Sequence, residues 1–81
     1  MDPLVKKLKA RLRRSSLEPT RVNLRDEDGI IGEVVSPSFR GHDDIDRINM
    51  VWEAIDGSLS PEERRRIVMI AAVTPEEESA R

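Results

Sequence analysis

Apolar and polar positions alternate along this chain with two different periods, and the changes of period mark its elements. Leu4, Val5, Leu8 and Leu12 recur at helical spacing among Lys6, Lys7, Lys9, Arg11, Arg13 and Arg14. That spacing predicts an amphipathic helix from about Asp2 to Ser15. Asp2 can cap it, and Pro3 suits the first helical position, where its missing N–H would have no partner in any case. Ser15 to Thr20, with Pro19, is the break. The period then drops to two. Val22 and Leu24 alternate with Arg21, Asn23 and Arg25, as in a strand with one wet face. Asp26-Glu27-Asp28-Gly29 is turn chemistry, with Gly29 free to take a positive φ. Ile30 to Val35 is apolar on both faces apart from Glu33, which places it centrally in a sheet.

Pro37 ends that second strand and Gly41 permits a bend. Asp43 or Asp44 caps a second helix running to about Asp56, with Ile45, Ile48, Val51, Trp52 and Ile55 as its buried stripe and Gly57 as C-cap. Ser60-Pro61-Glu62-Glu63 is a capping-box sequence that starts a short helical turn. Ile67 to Val73 is a third strand, apolar on both faces. Thr74-Pro75-Glu76-Glu77 is another helix start, followed by only a stub. The order α-β-β-α-(turn)-β predicts an α+β, two-layer fold with a three-stranded mixed sheet. The second and third strands, joined through a helix, are expected to run parallel with a right-handed crossover.

Length and charge narrow the picture. Eighty-one residues make one domain, 1–81, with one core and little capacity for a deep active-site cavity. No cysteine is present, which excludes disulfides, thiolate metal sites and cysteine nucleophiles. No apolar run is long enough to span a membrane and no signal-peptide pattern occurs, so the expected location is the cytoplasm. The net charge of −2 hides an asymmetry. Residues 1–25 carry eight Lys/Arg against Asp2 and Glu18, a balance of +6; residues 26–81 carry six against fourteen Asp/Glu, a balance of −8.

Candidate chemistry is sparse. His42 is the one histidine, and a single imidazole without cysteine does not close a transition-metal site. A solvent-facing loop residue is the simpler reading; a ligand shared with Asp43, Asp44 or a partner protein is the other. The carboxylate pairs Asp43/Asp44 and Glu62/Glu63 and the run Glu76/Glu77/Glu78 lie at helix starts, where the dipole favours the ionised form, so capping is their expected role. Ser36 and Ser38 lack a His–Asp set and are expected to satisfy backbone groups at the strand end. These readings make an enzyme an unexpected outcome. Gly29-Ile30-Ile31-Gly32 matches the GxxG clamp of KH domains, but it opens a strand here instead of joining two helices. The basic first helix offers Lys6, Lys7 and Lys9 to phosphates, with Arg40 and Arg64–Arg66 elsewhere. Phe39 and Trp52 are the only aromatics and read as structural, which leaves no stacking platform for bases. Arg47, between Ile45 and Ile48, either pairs with Asp44 or Asp43 along its helix, or fixes the Phe39–Gly41 bend or meets a partner.

One spacing is more specific than the rest: Phe39, any residue, Gly41, five residues, Arg47, three residues, Val51, Trp52, preceded by Val34-Val35-Ser36. It resembles the signature of the BolA family, small proteins linked to stress response and iron homeostasis. The resemblance runs from about Val22 to Glu77, and Thr74-Pro75-Glu76-Glu77 looks like the family's C-terminal end. It implies a fold similar to the type II KH domain and a monothiol glutaredoxin as partner. It also implies a shared [2Fe-2S] cluster, ligated in the family by a His at the start of the last strand and a His or Cys in the first hairpin loop. Those positions fall here on Arg66 and on or near Gly29. Arginine has no free lone pair and glycine no side chain, so neither ligates iron, and no cofactor is expected. Three readings follow: a BolA-like interaction or regulatory protein that binds a glutaredoxin or another protein without supplying ligands; a nucleic-acid-binding transcriptional regulator; and a metal-handling protein using His42. The surface expected to meet a partner or nucleic acid comprises Arg40, His42, Arg47, Arg66, Lys6, Lys7 and Lys9.

Overall fold

The computed structural model describes residues 2–80. Helix α1 spans Pro3–Arg14, strand β1 Arg21–Asp26 and strand β2 Ile30–Val35. Helix α2 spans Asp44–Ile55, α3 Pro61–Arg65, β3 Ile67–Val73 and α4 Pro75–Ser79. The sheet order is β1-β2-β3, with β1 antiparallel and β3 parallel to the central β2. The expected α+β class, strand order and parallel crossover pair are all present. Capping chemistry sets the helix starts as read. Asp2 accepts from the Leu4 N–H at 2.8 Å, and Asp43 accepts from the Asp46 N–H at 2.9 Å. Ser60/Glu63 and Thr74/Glu77 both close full capping boxes.

Both long helices lie on one face of the sheet. Leu4, Val5, Leu8 and Leu12 of α1 pack with Val22, Leu24, Ile30 and Val34 of the sheet and with Val51 and Ile55 of α2. Phe39 is fully buried among them and has the largest side chain of that group. Strand β1 shows the expected alternation, with Val22 and Leu24 inward.

Two expectations need correction. Ile45 and Ile48, assigned to the buried stripe of α2, are 71% and 49% exposed, and Trp52 is half-buried. The cause is width. Three strands are about 14 Å wide in full, whereas two helices side by side need about 20 Å. The outer row of α2 therefore overhangs the β3 edge. Strand β3 is apolar on both faces as read, and one of them is open: Met69 lies there with Asn23, Arg25, Ile31 and Ala71, and Val68 and Met69 are 66% and 60% exposed. Gly57 is not a left-handed cap. It lies in a 3-10 turn, Asp56–Ser58, that continues the helix, and the Ser58 hydroxyl donates to the Ile55 carbonyl. The β2–β3 register slips by one between Ile30 and Ile31, so Ile67 pairs with Ile30 while Met69 pairs with Ile31. Val68 is the extra, bulged residue, and the slip lets Ile67 and Ile70 both pack on the core. Among the described residues, no helix is long and apolar enough to cross a membrane.

Candidate functional site

The carboxyl ends of β2 and β3 meet at Ser36, whose N–H donates to the Val73 carbonyl at 2.9 Å. The Ser36 hydroxyl donates to the Leu17 carbonyl and accepts from the Ser38 N–H at 3.0 Å; the Ser38 hydroxyl reaches the same Leu17 carbonyl at 2.9 Å. Both serines therefore satisfy backbone, as expected, and tie the loop after α1 to the end of β2. The chain then makes a 3-10 turn, Pro37–Phe39. Gly41 takes φ +78°, a left-handed geometry open to glycine, and aims the chain into α2.

Arg47 locks this bend. Its side chain is only 12% exposed. Nε donates to the His42 carbonyl at 2.8 Å, and one guanidinium nitrogen donates to the Ala72 carbonyl at 3.3 Å and to Glu77 Oε1 at 2.6 Å. No close ion pair with Asp43 or Asp44 forms, because the fork is turned inward to the carbonyls; Asp44 attracts Arg47 only through space. The second reading of Arg47, as the fastener of the bend, is the one the geometry supports. It also joins two motifs thirty positions apart: Glu77 is the capping-box residue of α4, and the same Oε1 accepts from the Thr74 N–H at 2.8 Å.

The run Glu76-Glu77-Glu78 meets three different arginines. Arg40 forks onto Glu76 at 2.8 and 2.5 Å, Arg47 holds Glu77, and Arg21 reaches Glu78 at 3.1 Å. Sequence reading assigned these glutamates to capping alone. The capping signal was visible, but no local pattern names a partner on another element. The Arg47 guanidinium, helped by the Thr74 N–H, holds Glu77 down from an ordinary 4.5 to about 2. Arg40 likewise lowers Glu76. A carboxylate whose pKa is depressed on folding stabilises above its unfolded pKa and loses that contribution as pH falls through the folded value. The expected result of an acid titration is a stability loss between about pH 4.5 and 2 that is shallower in Glu77→Gln. Equal acid slopes in the two proteins would contradict it.

The opposite end of the sheet gathers Arg66 and Gly29. The Ile30 N–H donates to the Arg66 carbonyl at 2.7 Å, which brings the hairpin loop beside the start of β3. The Arg66 guanidinium bridges Asp2 and Asp26, the latter at 2.8 Å. Gly29 sits at φ +125°, and a Cβ there would overlap Cγ2 of Val68.

The remaining candidates are dispersed. Lys7 is drawn to Glu63 at 3.0 Å, while Lys6 and Lys9 border one shallow surface with Ala10 and Arg13. His42 is exposed, with Nδ1 3.9 Å from Asp46, which is too long for a hydrogen bond. Among the described residues no three His, Asp or Glu side chains gather as a metal site. In the GxxG match, Gly32 lies in β2 with no room for a Cβ, which would stand 2.8 Å from the Leu24 Cα. It is a close-packed strand position, so the match has no clamp geometry.

No family model and no curated protein matches the chain. Solved structures do. BolA1 from Arabidopsis thaliana superposes with a TM-score of 0.72 at 20% identity, covering 95% of this chain and 98% of its own. The BolA domain of SufE1 from Arabidopsis thaliana gives 0.75 at 17% identity, covering 95% and 98%. A Bol-like protein from Babesia bovis gives 0.68 at 26% identity, covering 99% of this chain and 92% of its own. The chain has the BolA-like fold. In this BolA-like fold, the positions to which the sequence resemblance assigns cluster ligands are Arg66 and Gly29, and the structure places them side by side. Neither fits a [2Fe-2S] cluster. The Arg66 guanidinium is a donor already engaged by two carboxylates, and Val68 fills the space that a side chain at position 29 would need.

Proposed function

We propose that this BolA-like chain is a non-enzymatic, cytoplasmic interaction module that binds a protein partner without contributing iron ligands. The family resemblance names a monothiol glutaredoxin as that partner, in a regulatory setting of stress response or iron homeostasis. The observation that carries the reading is the Asp2–Arg66–Asp26 bridge at the start of β3. It is a carboxylate-paired cation at the position where the family resemblance implies a ligand. That one similar structure is a BolA domain of SufE1 supports use of the fold as an interaction unit. The proposed function predicts that iron-free monothiol glutaredoxin binds this chain in a calorimetric titration with the same affinity whether or not a chelator is present. Binding that appears only after iron and sulfide are supplied would overturn it.

The nucleic-acid reading keeps one supporting observation, the surface shared by Lys6, Lys9 and Arg13. Three phosphate contacts there would give a log K against log salt slope of about −3. Against it, Phe39 is fully buried and Trp52 packs on the core, so base stacking has no platform. The expected result is weak, sequence-independent binding that vanishes at physiological salt; tight binding retained there would favour the regulator instead.

A further inference from the structure

The two edges of the sheet are built differently. Strand β1 guards its edge with Arg21, Arg25 and Asp26, the charged pattern that keeps edges apart. Strand β3 is Ile-Val-Met-Ile-Ala-Ala-Val, seven residues with no charge and no proline. Its outer edge has no neighbouring strand; towards its carboxyl end the Ala72 carbonyl receives Arg47 at 3.3 Å and keeps a second lone pair. Alongside it runs an apolar groove of about 140 Å³ lined by Ile48, Val51 and Trp52 of α2 and by Ile67 to Ile70 of β3. The bulge at Val68 breaks the regular alternation, and Ile67, Val68, Met69 and Ile70 all reach this groove along the strand's edge. That volume is well below the ~300–1,000 Å³ of a small-molecule pocket, and it suits one or two side chains. Exposed Ile45, Ile48, Val68 and Met69 continue the apolar surface on both sides.

The charges at the two ends of this edge decide what fits. At the amino end stands Arg65, exposed and without an ion pair among the described residues; its neighbours Arg64 and Arg66 are held by Asp56 and by Asp2 and Asp26. At the carboxyl end lies the first turn of α2, since Arg47 reaches Ala72. Asp44 is exposed there; it attracts Arg47 through space, with no ion pair inside 4 Å among the described residues. A strand edge that is positive at one end and negative at the other is complementary to itself when turned round.

We propose that two copies of this chain pair through β3, antiparallel about a two-fold axis near Ile70, to form a continuous six-stranded sheet. Each copy then satisfies the other's free edge, seats a side chain from the overhanging row of α2 in the other's groove, and sets Arg65 against the other's Asp44. A parallel pairing would bring like charges together at both ends and is disfavoured.

Sedimentation equilibrium of the full chain from micromolar to millimolar concentration tests this. The expected result is a mass that rises from one chain to two. Val68→Glu, at an exposed position, keeps the far-UV spectrum and melting temperature and stays monomeric; Ile48→Glu on the other groove wall does the same and serves if Val68→Glu fails to fold. Arg65→Glu weakens pairing about five-fold, and adding Asp44→Arg in the same chain restores it. A monomer at every concentration overturns the proposal, as does a dimer that survives both glutamate variants. So does a monomer that uses Val68 only to bind a different protein.

Discussion

Phe39→Ala is expected to destabilise the chain by about 3–5 kcal/mol. Phe39 is fully buried and touches the core where α1, α2 and the sheet converge. A protein of this length is stabilised by only about 4–12 kcal/mol in total, so the alanine variant should be largely unfolded at moderate denaturant. The reason lies in the turn. Residues 37–39 cannot rearrange to fill the void, because Ser36 and Ser38 anchor both sides of it to Leu17 and Phe39 itself bonds back to Ser36. The cavity would persist, and its cost would add to the lost burial. Phe39→Leu should cost roughly half as much, since much of the volume is kept. Equilibrium urea unfolding by far-UV circular dichroism measures both. A loss below about 1 kcal/mol for alanine would mean that the bend collapses freely.

Arg47→Ala is expected to cost about 2–3 kcal/mol. The side chain gives charged hydrogen bonds to two backbone carbonyls and one carboxylate, and removing it leaves the Ala72 and His42 carbonyls short of a donor. For a domain of this size that corresponds to a fall in melting temperature of about 8–20 °C. Arg47→Lys should recover little, because one ammonium cannot follow a planar fork that serves three acceptors. A double-mutant cycle with Glu77→Ala separates the contributions. Glu77 is half exposed, so solvent screens its coupling to Arg47, which should be the smaller share. The larger share belongs to the carbonyls. A cycle that assigns the whole loss to Glu77 would contradict this account of the bend.

Much of this architecture is legible in the sequence because it is specified locally. Asp2, Asp43, Ser60 and Thr74 announce their helices through side-chain chemistry that acts within three residues. The central position of β2 follows from its lack of a polar face. Long-range facts were less accessible. Periodicity marks an apolar face on α2 but not how wide a sheet lies beneath it, and so it placed Ile45 and Ile48 in a core that ends before reaching them. The bulge at Val68 has no composition signal, because every residue around it is apolar. Arg47 has acidic neighbours on its own helix, and these drew the eye from Glu77, thirty positions away. Arg66 and Gly29 are set apart as non-ligands from their chemistry alone; that they are neighbours, and that Asp2, Asp26 and Val68 close the space around them, required the fold.

The exposed edge of β3 and the closed Arg66–Gly29 end describe a scaffold that offers surface and withholds ligands. The most direct measurement is the iron content of its complex with a monothiol glutaredoxin. The two proteins are mixed anaerobically with iron, sulfide and glutathione, the heterocomplex is separated by size, and its iron and visible absorbance are read. The account predicts a stable heterocomplex that carries no iron and no visible band. A heterocomplex holding one iron–sulfur cluster, with the band intact after Arg66→Ala, would contradict it.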